Sequence, residues 1–181
     1  MNTINPLIFR AYDIRGIAIA PLAEPGKTPD LTPDTINLIG KATGTYMKRL
    51  YQTKNMLVGR DNRNHSPELQ QAFIAGVLST GIDVTNVGIS TSPLIYYAVC
   101  KYNADSGVNI TASHNPKEYN GVKIVGQNAH SICGDALQEI LKLIQTNDFE
   151  QAQTLGKLIQ KNTHFADFLE ETTSRIKLAR P

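Results

Sequence analysis

The sequence predicts an α/β protein: a layered α/β/α domain with a mixed sheet covered by helices, then a C-terminal linker and a last helix. Three features carry that expectation. Short apolar, β-branched runs alternate with stretches of helical period. The pairs Thr32-Pro33, Ser66-Pro67 and Ser92-Pro93 open those stretches, Thr32-Pro33 as a cap followed by a proline at the first helical position. Finally, Val122 to Val125 follows a polar loop and is placed to return antiparallel to Val108 to Ile110, so the sheet is expected to be mixed.

The elements follow in order. Residues 7–17 form a strand-like run, and a Pro/Gly-rich loop covers about 21–33. A helix then starts near Thr32 or Pro33, with Ile36, Ile39, Thr43, Tyr46, Met47 and Leu50 as its inward stripe. Met56-Leu57-Val58 is a short strand running into the loop Gly59-Arg60-Asp61-Asn62-Arg63. The helix from Ser66 presents Leu69, Ala72, Phe73, Gly76 and Val77 on one face and stops at Gly81. Residues 82–89 read as a strand, and a helix runs from Ser92 to about Tyr102. Val108 to Ile110 is a further core strand, although the polar Asn109 within it leaves edge and central strands unassigned. Gly134 begins a helix with Leu137, Ile140, Leu141 and Ile144 facing inward.

Beyond Asp148 the texture becomes Gln-, Thr-, Asn- and Lys-rich with no strand-like run. The expected division is therefore a domain over 1–148, a linker over 149–162 and a final helix over 163–181. That helix carries Phe165, Phe168, Leu169, Thr172 and Ile176 on one face, which requires either the domain itself or a later partner to cover it.

Composition narrows the function. With 41% hydrophobic and 19% charged residues the 181-residue chain can build an ordinary globular core. A net charge of +2 gives no footprint for nucleic acid and no polybasic membrane patch. No apolar run reaches the ~20 residues that span a bilayer, and the first residues lack a basic stretch followed by an apolar one. Cys100 and Cys133 form no CxxC pair, so a reduced, cytoplasmic protein is expected.

The chemistry concentrates in Thr111-Ala112-Ser113-His114-Asn115-Pro116, a polar loop between two apolar strands. A loop serine can act as a nucleophile or as the carrier of a phosphate ester. The nucleophile-elbow pattern G-x-S-x-G is absent, and neighbours in extended backbone point apart, so His114 is poorly placed to activate Ser113 in a hydrolase triad. Taken alone, Asn115-Pro116 is also ordinary turn chemistry. His65, His130 and His164 show no ligand spacing, and Cys133 reads as a packing residue.

Three more segments give the loop its meaning. Phe9-Arg10-Ala11-Tyr12-Asp13-Ile14-Arg15-Gly16, Gly59-Arg60-Asp61-Asn62-Arg63 with Ser66-Pro67, and Asn120-Gly121-Val122-Lys123 stand in order around it. Together the four motifs resemble the first, phosphoserine-bearing domain of the α-D-phosphohexomutases, in their phosphomannomutase/phosphoglucomutase branch. Phe9-Arg10-Ala11-Tyr12 differs from the Phe-Gly-Thr-Asp opening usual in phosphoglucosamine mutases. Thr111 at the start of the loop points the same way, toward mannose and glucose phosphates. His65 stands where the family often has a small hydroxyl residue.

The resemblance implies interconversion of hexose 6-phosphate and hexose 1-phosphate through a phosphoserine at Ser113 and a hexose 1,6-bisphosphate. It implies catalytic roles for Ser113, His114, Lys123 and Arg15, with Tyr12 and Asn115 at the substrate and Ser113 as one ligand of Mg²⁺. Arg15 and Lys123 would offset the −1.5 to −2 charges that a phosphoserine carries at about neutral pH. His114 suits proton transfer or orientation of a sugar hydroxyl, the usual work of an imidazole near neutral pH. Arg60 and Arg63 are expected to brace the site through structural pairs. The family's Asp-Gly-Asp-x-Asp-Arg metal loop, its sugar loop and its distal phosphate loop, which lie in domains II–IV, have no counterpart in these residues. Two readings follow. In one, the chain is the N-terminal piece of such a mutase, ending in the first helix of domain II and inactive alone. In the other, it is a stand-alone module that binds phosphosugars or a partner, with the last helix as its docking element.

Overall fold

The computed structural model describes residues 4–19, 26 and 28–177. Its strands are β1 (Ile14–Ile17), β2 (Asn55–Arg60), β3 (Asp83–Ile89), β4 (Ser106–Ile110), β5 (Tyr119–Gly126) and β6 (Leu158–Gln160). Its helices are α1 (Pro33–Tyr51), α2 (Ser66–Ser79), α3 (Ser92–Lys101), α4 (Asp135–Thr146) and α5 (His164–Ser174). The six strands form one sheet in the order β1-β5-β4-β2-β3-β6. β4, β2, β3 and β6 run parallel, whereas β5 is antiparallel to both β4 and β1. The expected mixed sheet is present, and β4 is a central strand buried along its whole length.

Alternation along the strands separates two cores. Met56, Val58, Val84, Val108, Ile110, Val122 and Ile124 pack with the apolar stripes of α1, α2 and α4 on one face. Leu57, Val87 and Val125 pack with Ile95, Ala98 and Val99 of α3 on the other. Helices therefore cover both faces, giving the α/β/α layering. α1 starts as its sequence requires, Thr32 Oγ1 accepting a hydrogen bond from the Thr35 amide at 3.2 Å. The α1–α2 crossing depends on glycine, because a Cβ at Gly76 would sit 2.3 Å from the Asn37 carbonyl oxygen and one at Gly40 2.4 Å from that of Phe73.

Four expectations need correction. Residues 7–17 are not one strand. Asn5 caps a 3-10 turn at Pro6–Ile8, Arg10 and Asp13 close a second turn, and only Ile14–Ile17 pairs in the sheet beyond a single bridge from Phe9. Leu50 lies at the fraying end of α1 and is 63% exposed rather than inward. The supposed linker contains β6, whose three side chains are all exposed. It joins β3 through backbone pairing, which needs no apolar pattern. The stripe on α5 is divided: Phe168 packs edge-on against Tyr97 at 5.2 Å, while Phe165, Leu169 and Ile176 are exposed. The buried residue of α5 is His164. Of the Pro/Gly-rich loop expected over 21–33, most of the first half lies outside the described residues, as do the last four residues of the chain.

Candidate active site

The four motifs meet at one end of the sheet because of where their strands stop. β4 delivers the loop 111–118, and β5 carries the chain back along it. β2 ends beside β4 and delivers Asp61 to Arg63, and β1 pairs with β5 to bring in Asp13 and Arg15. Ligand sites favour such strand ends. A cleft of about 1050 Å³ opens there. Its walls are the serine loop on one side, residues 61–65 on another, and Ser90 to Pro93 at the start of α3 on the third.

Ser113 holds an uncommon backbone state for a residue with a side chain, φ +56°, in the left-handed region. Its surroundings keep it there. The Ser113 amide donates to Thr111 Oγ1 at 2.9 Å, and the Asn115 amide donates to the Ala112 carbonyl at 3.1 Å. Arg63 then clamps the loop from outside. Its terminal nitrogens donate to the carbonyls of Asn115 (2.7 Å), Pro116 (2.6 Å), Tyr119 (3.2 Å) and Ser113 (3.3 Å). Its Nε pairs with Asp61 at 3.1 Å. Asp61 is fixed in turn by Ser66 Oγ, which also accepts from Asn120 at 2.9 Å. One guanidinium thus converts a mobile type of segment into a defined one. Ser113 itself is exposed, and its hydroxyl makes no hydrogen bond among the described residues.

The cations sit beside this loop as a cluster. Asp13, only 8% exposed, accepts from both Arg15 and Lys123 through the same carboxylate oxygen, Lys123 at 3.2 Å. Two positive groups sharing one carboxylate leave a surplus positive charge. Arg15 also donates to Asn115 Oδ1 at 2.6 Å, tying the cluster to the serine loop. Its Nε is buried without a partner, a donor directed to no acceptor among the described residues.

The sequence-nominated residues therefore divide. Ser113, His114 and Asn115 line the cleft. Arg15 and Lys123 stand behind the loop, joined through Asp13, and do not line it. Tyr12 is 78% exposed and also lies off its walls. Arg63 braces the loop as expected; Arg60 is spent on the Asp61 carbonyl at 3.0 Å. Sequence reasoning missed Asp13, whose burial no pattern announces, and the wall made by Ser90, Thr91, Ser92 and Asn109. A polar Asn109 amid apolar strand neighbours was the available signal for that wall.

The residues present do not make a cation site. Asp13 and Asp61 are engaged by Arg15, Lys123, Arg63 and Ser66, and no group of three or more His, Cys, Asp or Glu could hold a metal among the described residues. A hard divalent ion takes about six oxygen ligands, and Ser113 supplies one at most.

This end of the sheet thus carries a clamped, left-handed serine with a cation pair tied to its loop through Asn115 and Asp13. The description "Phosphoglucomutase/phosphomannomutase, alpha/beta/alpha domain I" matches residues 6–151. The chain belongs to the phosphoglucomutase/phosphomannomutase family, with residues 6–151 as its first domain. It is 38% identical over its full 181 residues to a phosphoglucomutase of Neisseria meningitidis serogroup B, covering 37% of that protein. It is 36% identical over 172 residues to a phosphoglucomutase/phosphomannomutase of Thermococcus kodakarensis, covering 93% of this chain and 36% of that one. A solved phosphoglucomutase/phosphomannomutase family protein from Burkholderia thailandensis superposes with a TM-score of 0.84 at 33% identity, over 99% of this chain and 38% of that one. The chain thus spans little more than a third of the length of these relatives.

Proposed function

We propose that this domain carries the phosphoryl group for a hexose-phosphate mutase, with Ser113 as the carrier. The observation that carries the reading is Ser113 itself: left-handed, exposed, its hydroxyl unengaged, in a loop held by Arg63 and Arg15. In the transfer, a sugar hydroxyl attacks phosphorus in line. A new O–P bond forms as the P–Oγ bond to Ser113 breaks, and the proton lost by the attacking hydroxyl passes, by way of His114 or solvent, to the departing Oγ of Ser113. Repeating the step in the other direction after the bisphosphate turns over moves phosphate between O6 and O1. His114 at the cleft wall is placed to orient or exchange the proton with the sugar hydroxyl. Arg15 and Lys123 stabilise the phosphorylated loop by charge from behind, and the unpartnered Arg15 Nε supports an acceptor arriving there. Asn115 positions Arg15.

Glucose and mannose phosphates are the substrates favoured by the opening motif. Mg²⁺, which would withdraw charge from the transferring group, requires carboxylates from further residues, with phosphoserine as the ligand supplied here. We infer that the functional protein is longer, that residues from about 163 begin its second domain, and that this chain alone does not turn over. The apolar surface of Leu158, Ile159, Phe165 and Leu169 fits burial against that remainder and serves equally as the docking face of a stand-alone binding module. Unpaired Cys100 and Cys133 agree with a cytoplasmic setting, and no helix of the described residues is long and apolar enough to cross a membrane.

The test is interconversion of glucose 1-phosphate and glucose 6-phosphate by the longer polypeptide. Ser113→Ala is expected to lower kcat by about 10³-fold or more with its fold intact, since it removes the group that is covalently modified. Retention of turnover in that variant would remove Ser113 from the mechanism. Substantial turnover by the 181-residue chain would contradict its inactivity.

A further inference from the structure

Asn109 lies at the floor of the cleft and has no structural need to be polar. It sits in central strand β4, is 2% exposed, and is opposite Lys123 in the β4–β5 register and Gly59 in the β4–β2 register. Its side chain takes the α3 side of the sheet, where it meets Ser92 at the first turn of α3 through one long hydrogen bond, Nδ2 to Oγ at 3.3 Å. Its other end, Oδ1, is buried and has no partner. A buried carboxamide half-satisfied in this way costs stability that an apolar residue of the same size would not. Around it stand the hydroxyl residues Thr91 and Ser92, with no charged side chain in the first turn of α3 and no side-chain bond capping that helix.

We propose that Asn109, with Ser92 beside it, reads a hydroxyl of the bound sugar; this rests on the phosphosugar reading of the cleft given above. With Oδ1 toward the cleft, the chemistry selects a hydroxyl over a second, fully ionised phosphate. Ionised phosphate oxygens only accept hydrogen bonds and cannot satisfy Oδ1, whereas a hydroxyl donates to it and accepts from the Ser92 hydroxyl. Turning the amide over would offer the cleft Nδ2 in place of Oδ1, and a hydroxyl satisfies that end equally. Asn109 and Ser113 line the same cavity, two residues before and two after Thr111, the first residue beyond the strand. The sugar ring then spans from the phosphate at the serine loop to the α3 wall. Asn109 is a specificity residue in this account and takes no part in bond making.

Calorimetric titration of the longer polypeptide with glucose 6-phosphate and, separately, with inorganic phosphate tests the proposal. Asn109→Leu is expected to weaken glucose 6-phosphate binding by about five- to tenfold, to leave phosphate binding unchanged, and to hold or raise Tm. Asn109→Val is the second variant should leucine not fit beside Ser92. Hexose phosphates lacking one hydroxyl at a time complete the cycle: the analogue that costs the wild type affinity but costs Asn109→Leu none identifies the hydroxyl read. Unaltered glucose 6-phosphate binding in both variants would overturn the proposal alone, with water as the partner of Oδ1. Equal loss for both ligands, or a lowered Tm, would also overturn it, making Asn109 a structural residue. Binding of neither ligand by the wild type would overturn the phosphosugar reading of the cleft, and this proposal with it.

Discussion

The serine loop and the C-terminal segment from residue 149 look alike as sequence and behave differently as structure. Both are polar, irregular stretches hung on the edge of an apolar framework. The serine loop is bound by a partly buried guanidinium to four backbone carbonyls, by a buried carboxylate shared between two cations, and by a strand on either side. The C-terminal segment adds a three-residue strand with exposed side chains and a helix held by Phe168, His164 and surface pairs such as Lys101–Glu171 at 2.8 Å. Exposed pairs of that kind add little. Order in the first region therefore comes from polar groups that cannot be left unpaired. In the second it comes from a few contacts that can be released one by one.

Removing the clamp should produce the largest effect. Arg63→Met leaves Asp61 Oδ2 and the Ser113 and Asn115 carbonyls without their donor, and is expected to cost about 2–4 kcal/mol in urea unfolding. A cost under about 0.5 kcal/mol would mean that the loop holds itself and the contrast is false. Phe168→Ala removes the main apolar contact of α5 with α3. It should increase amide exchange in α5 alone and lower the global stability by about 1 kcal/mol or less. A loss spread over β2 and β4 would join the segment to the core instead.

The smallest effect concerns pH. His164 is buried with Nε2 on Ser90 Oγ at 3.1 Å, and burial holds its pKa below the ordinary histidine value, against the opposing pull of Asp167. A folded-state pKa below the unfolded one means that the unfolded form binds the proton more readily. The docking of α5 is therefore complete above about pH 6.5 and weakens as pH falls through the depressed folded value. Exchange measured in α5 should rise with acidification after correction for intrinsic rates, while residues 111–118 keep their protection. The effect should vanish in His164→Gln.

What the sequence made legible tracks which physical demands leave a pattern. Helix starts at Thr32-Pro33, Ser66-Pro67 and Ser92-Pro93, the stripe on α4, and the antiparallel return of β5 were all readable, since a proline in the first turn, burial and pairing each require particular residue types. Ser113, His114 and Asn115 were readable as a motif. The strand β6 was not, because backbone pairing at an edge asks nothing of side chains. Nor were the four acceptors of Arg63, which are main-chain oxygens present at every position. Asp13 was in view as part of a motif, but its sharing between Arg15 and Lys123 arises only when β1 is laid against β5. Asn109 was noticed as an obstacle to strand assignment; its place on the cleft floor required the register.

The most direct test of the central claim is phosphate mapping by mass spectrometry on the longer polypeptide, purified from its source cells in a form that interconverts hexose phosphates. The account expects phosphate on the peptide carrying Ser113, discharged by excess glucose 1-phosphate or glucose 6-phosphate and restored by glucose 1,6-bisphosphate. An active preparation in which Ser113 stays unmodified throughout would contradict it.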